Sequence, residues 1–158
     1  MPGKLTILVG TMTGTAEMVA EEMSDALGEA GFETDVKAMD GLESGVFAGG
    51  GLFLIVTSTY GQGDVPDNAM TLYNDLCARK PDLGAVRYGL FSLGDRTYAE
   101  TFNHGGKRFD EILSGCGARR VGDWYQHDAS AGTVPEDEGV NWVRAWAEQA
   151  AAAEAEAA

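Results

Sequence analysis

Cysteine, histidine and basic residues are all scarce in this 158-residue chain, and each scarcity removes a class of function. The two cysteines, Cys77 and Cys116, stand far apart with neither a CxxC spacing nor a Cys/His cluster around them, so neither a metal site nor a redox dithiol has support. Both are expected to be packing residues, because a free cysteine behaves as a small buried hydrophobe. His104 and His127 are isolated too, which leaves solvated or hydrogen-bonded structural roles and gives no indication of a zinc enzyme. Lysines and arginines number 11 against 25 aspartates and glutamates, for a net charge of -14 and a pI of about 4.3. Such a field repels phosphate backbones and attracts basic protein surfaces, which makes nucleic acid a poor partner. No apolar run is long enough to cross a bilayer, and the one after Met1–Lys4 is too short for a secretory signal. The chain therefore reads as cytoplasmic, with no membrane role.

What is present is the material of one ordinary core: 44% of the residues are hydrophobic and 23% charged. A single domain is expected over residues 1–150, with residues 151–158 an alanine- and glutamate-rich tail that frays from the last helix. Apolar runs of strand length alternate with segments of helical period. Strands are expected at Leu5–Val9, Glu33–Lys37, Leu52–Ser58, Arg87–Leu93 and Arg120–Tyr125. A first helix, running to about Ala30, carries Ala16, Val19, Ala20, Met23, Leu27 and Ala30 on one face and is ended by Gly31. Further helices are expected over Asn68–Ala78, over Gly106–Leu113 and from Glu136, the last burying Val140, Val143, Trp146, Ala147 and Ala150. Leu-Phe-Leu-Ile-Val at 52–56 lacks polar alternation, as a central parallel strand covered on both faces requires. The whole is an α/β doubly wound open sheet, in which ligands bind beyond the carboxyl ends of the strands.

Three loops lie at those ends. The first, Gly10-Thr11-Met12-Thr13-Gly14-Thr15-Ala16-Glu17, leads straight into a helix, so its backbone N–H groups and hydroxyls can converge on one phosphate. It fits neither Walker A nor GxGxxG, and it holds no basic side chain. A plainer reading makes it a capping loop with Thr13 or Thr15 as the N-cap. The second runs from Thr57 to Asn68 and sets Tyr60 between polar and turn-forming residues; the third, Gly94 to Phe102, sets Tyr98 in the same position. A phosphate cradle and two aromatic loops on adjacent strand ends suit a planar aromatic phosphate.

The runs T-x-T-G-T-A-E at Thr11–Glu17, S-T-Y-G-Q-G-D-x-P-D-N at Ser58–Asn68 and L-G-D-R-T-Y at Leu93–Tyr98 together resemble the flavodoxin superfamily, above all its short MioC-like members and the FMN domains of diflavin reductases. The resemblance implies a flavodoxin-like three-layer sandwich with a five-stranded parallel sheet of order 2-1-3-4-5. It implies FMN as cofactor, its phosphate held by Thr11, Met12, Thr13, Gly14, Thr15 and Ala16. Thr59, Tyr60, Gly61 and Gln62 would line one side of the flavin ring, Tyr98 would stack on the other, and Gly94, Asp95 and Arg96 would meet its edge. Asp128 sits where related FMN domains place an acid near the flavin.

The implied function is electron transfer, with a separate flavoprotein reductase as donor and a redox enzyme as acceptor, both approached through basic surfaces, by a monomer that is not itself an enzyme. A flavin-dependent quinone reductase is the alternative, although Tyr60 and Tyr98 would cover the ring faces its substrate must reach. A phosphorelay receiver shares the topology but needs an aspartate where this chain has Thr57-Ser58-Thr59. The acidic runs Glu17–Asp25 and Glu136–Glu138 read as solvated faces.

Overall fold

Strands and helices alternate in the computed structural model, which describes residues 4–10, 14–48, 50–58, 67–94, 104–128 and 134–157. They are β1 (Lys4–Gly10), α1 (Thr15–Glu29), β2 (Glu33–Ala38), β3 (Gly51–Ser58), α2 (Met70–Arg79), β4 (Val86–Gly94), α3 (His104–Gly115), β5 (Arg119–Arg120), β6 (Tyr125–Asp128) and α4 (Pro135–Ala157). Short 3-10 turns occupy Ser44–Phe47 and Asp67–Ala69. All strand pairings are parallel in the order β2-β1-β3-β4-β5, with β6 also paired to β4. The fold is thus the flavodoxin-like α/β sandwich that the resemblance implies.

The unalternating run in β3 is explained by its two covered faces. Leu52, Leu54 and Val56 join a core cluster with α1 and α4, while Phe53 and Ile55 join a second cluster with α2 and α3. Every residue from Leu52 to Thr57 is buried. On the α3 side, Tyr88 of β4 is buried and its hydroxyl donates to Asp110, 2.6 Å away, while Arg120 lies 3.0 Å from the same carboxylate. Cys116 packs against this second cluster; burial, and then the nearby Cys77, push its thiol pKa up. Among the described residues no helix is long and apolar enough to cross a membrane.

Helix α1 buries the expected face except at its end: Ala26 is buried and Ala30 is exposed. Ala30 is the C-cap, where the chain leaves the helix. Phe32 N–H bonds the Leu27 carbonyl and Gly31 N–H that of Gly28, with Gly31 at φ 99°, a left-handed turn that suits glycine and delivers buried Phe32 onto the core.

The fifth strand differs from expectation. Instead of one strand over Arg120–Tyr125, β5 and β6 pair with β4 on either side of a break, Arg120 opposite Tyr88 and Tyr125 opposite Phe91. Four residues, 121–124, therefore oppose the two residues Gly89 and Leu90, which is a bulge. Its cause is Trp146. The buried indole lies against Gly89 and donates from Nε1 to the Val121 carbonyl at 2.9 Å, while Gly122 turns at φ 72° beside it. A Cβ on Gly89 would fall 2.4 Å from the indole. Gly89→Ala is therefore expected to lower stability by about 1–3 kcal/mol through overpacking, read as a fall in urea midpoint at unchanged slope.

Candidate functional site

Parallel strands all end at one edge, and the helices return from it. Register sets Gly10 level with Thr57, Ser58 level with Leu93, and Gly94 level with Asp128, so β1, β3, β4 and β6 open onto a common rim. In such sheets this is where ligands sit.

At the β1 end the helix cap is Gly14, in place of Thr13 or Thr15. It adopts φ 91° and ψ -6°, and its carbonyl accepts the first helical bond from Met18 N–H at 3.1 Å. Among the described residues, a Cβ built on Gly14 would meet nothing within 4 Å. The first turn of a helix presents backbone N–H groups and the positive end of the dipole, which suits a phosphate. The Ala16 side chain is fully buried in the core, so only its backbone can serve such a ligand.

Behind the cradle the strand ends are locked together. A Cβ on Gly10 would lie 2.7 Å from Thr57 Oγ1 and 3.3 Å from both Ala69 Cβ and Met39 Sδ, so glycine is what lets β1, β3 and the turn at Asp67–Ala69 converge. Asn68 ties them further. Its amide donates to the Val9 carbonyl at 3.2 Å and to Asp40 at 3.3 Å, while the Ser58 hydroxyl reaches the Gly10 carbonyl at 3.5 Å.

On the other flank, the Trp124 indole donates to Ser92 Oγ at 2.7 Å, and Tyr125 stacks on Phe91 with centroids 5.0 Å apart. His127 is only 3% exposed, with Nε2 3.1 Å from Glu138 of α4. Burial, and then the negative charge of Glu138, push the Tyr125 phenol pKa up.

Of the residues the sequence nominates, the structure brings Gly14, Thr15 and Ala16 to the start of α1 and sets Gly94 opposite Asp128 at the rim. Thr11, Met12, Thr13, Thr59, Tyr60, Gly61, Gln62, Asp95, Arg96 and Tyr98 lie outside the described residues. Three supports were not anticipated. Asn68 closes the second motif and had that signal; His127 and Glu138, 11 positions apart, carry no spacing signal at all.

Sheet order and rim define a doubly wound α/β protein, a class whose ligands sit at the carboxyl ends of the strands. The chain belongs to the flavodoxin family, whose model matches residues 7–153. It is 40% identical over 145 residues to flavodoxin YqcA of Pectobacterium carotovorum, covering 92% of this chain and 95% of that one. It is 35% identical over 142 residues to protein MioC of Escherichia coli K12, covering 90% and 95%. Among solved structures, a cysteine-to-alanine mutant of flavodoxin from Pseudomonas aeruginosa superposes with a TM-score of 0.83 at 34% identity, covering 92% of this chain and 97% of that one.

Because Gly14 has a left-handed φ and no described atom stands within 4 Å of where its Cβ would be, a substitution there acts through the backbone. Gly14→Ala is expected to cost about 1–2 kcal/mol, and Gly14→Asn less, since asparagine tolerates that region; equal losses in thermal unfolding would contradict the assignment.

Proposed function

We propose that the chain binds one FMN at this rim and carries electrons from a flavoprotein reductase to acceptor redox enzymes, as a cytoplasmic monomer whose working domain is residues 1–150. The observation that carries this is the glycine-led start of α1 beside the converging strand ends of a flavodoxin-family chain. The donor set fits the group: a phosphate needs N–H donors and close backbone approach, which this helix start offers. FMN, when bound, supplies the redox chemistry, and the protein supplies binding, orientation and electrostatics.

In this reading the backbone of Gly14, Thr15 and Ala16, with Thr11, Met12 and Thr13, takes the phosphate. Thr59, Tyr60, Gly61 and Gln62 on one side, Tyr98 on the other, and Gly94, Asp95, Arg96 and Asp128 at the edges hold the ring. The resemblance of the three motifs supports these roles. Partner docking is supported by the surface around the rim. Exposed Met18 and Met70 stand in the first turns of α1 and α2, and exposed Val134 just precedes α4, whose first turn is acidic at Glu136, Asp137 and Glu138. Exposed apolar side chains inside an acidic surround fit a partner with a basic rim.

The test is to load the protein with FMN, reduce it with an NADPH-dependent flavoprotein reductase, and follow oxidation by a one-electron acceptor protein in a stopped-flow instrument. Transfer in both half-reactions is expected, with association rates that fall as salt is raised. Direct and rapid oxidation by a small quinone, with no transfer to proteins, would instead identify a quinone reductase.

A further inference from the structure

Glu138 stands in an acidic run whose pattern reads as a solvated face, and its position contradicts that reading. Its side chain is 26% exposed, and its carboxylate lies 3.1 Å from Nε2 of His127 on β6. Tyr125 and His127 are two residues apart on β6 and so share one face. A single acid in the first turn of α4 thus fastens that turn to the last residues of β6, next to Asp128 at the rim.

The following residue faces elsewhere. A Cβ on Gly139 would lie 2.7 Å from Val19 Cγ1 and 2.9 Å from Met23 Cε, so the backbone of α4 rests directly on α1. Val19 and Met23 lie one and two turns along the helix that begins at Gly14–Ala16. Between α1's own strand and β6 lie β3 and β4, so the first turn of α4 is a direct brace across the sheet face from the cradle's helix to the far strand end.

We propose that Glu138 and Gly139 are positioning residues that set the spacing between the phosphate end of the site and its ring end. The inference rests on the FMN reading. FMN joins a phosphate to a ring by a chain of fixed reach, so its two ends reinforce each other only where both subsites stand at the matching distance. The brace acts from outside the site. Gly139→Ala drives the first turn of α4 away from Val19 and Met23, and Glu138→Ala leaves His127 buried without this carboxylate.

The experiment measures dissociation constants for FMN and for riboflavin, which has the ring and no phosphate, with wild type, Gly139→Ala, Glu138→Ala, Glu138→Gln and the double variant Gly139→Ala/Val19→Ala. The ratio of the riboflavin constant to the FMN constant reports how well the two ends are held together. It is expected to fall about tenfold or more in Gly139→Ala and Glu138→Ala as simultaneous engagement is lost, with riboflavin affinity little changed. Glu138→Gln, which keeps an acceptor oxygen, and the double variant, which removes the Val19 clash, should recover it. A merely structural role would lower the unfolding temperature and leave the ratio at its wild-type value, and that result overturns the proposal. Should Gly139→Ala not fold, the ratio in Glu138→Ala against Glu138→Gln decides alone. Wild type that binds neither flavin overturns the functional reading, whereas wild type that binds FMN beside variants of unchanged ratio overturns only the brace.

Discussion

Strand β3 is buried on both faces, and the rest of the architecture follows from meeting that demand. A strand reading Leu-Phe-Leu-Ile-Val has no side to show to water, so helices must cover it above and below. Parallel neighbours supply those helices, because each crossover returns the chain across a face before the next strand starts. The carboxyl ends of β1, β3, β4 and β6 then meet at one edge. The rim at Gly10, Ser58, Gly94 and Asp128 is therefore a by-product of covering the core.

Two glycines show how tightly that edge is drawn. At Gly10 the absence of a Cβ lets two strands and a turn meet, and at Gly14 a left-handed φ turns the chain into α1. One works through packing and the other through backbone conformation.

Much of this was legible in the residues. The period of α1 and the run in β3 report burial directly, and the family resemblance carried by the three motifs implies the sheet order. What sequence could not show were contacts between residues with no fixed spacing. The bulge between β5 and β6 depends on where Trp146 lands, against Gly89 and under the Val121 carbonyl, and no local pattern at Arg120–Tyr125 records that. Exposure of Ala30 follows from a cap geometry that helical periodicity ignores. His127 and Glu138 look like an isolated histidine and a surface acid until β6 and α4 bring them to 3.1 Å. The acidic balance, by contrast, needs no fold to be read, and it bears on partners more than on architecture.

The measurement that tests the central claim most directly is titration of the purified, flavin-free protein with FMN, FAD, riboflavin and ATP, followed by calorimetry and by the flavin absorption spectrum. The account predicts one FMN per chain with a perturbed spectrum, weaker riboflavin binding because the cradle at α1 is left empty, and no ATP binding. Absence of FMN binding, or affinity for riboflavin equal to that for FMN, would contradict a phosphate site at the start of α1.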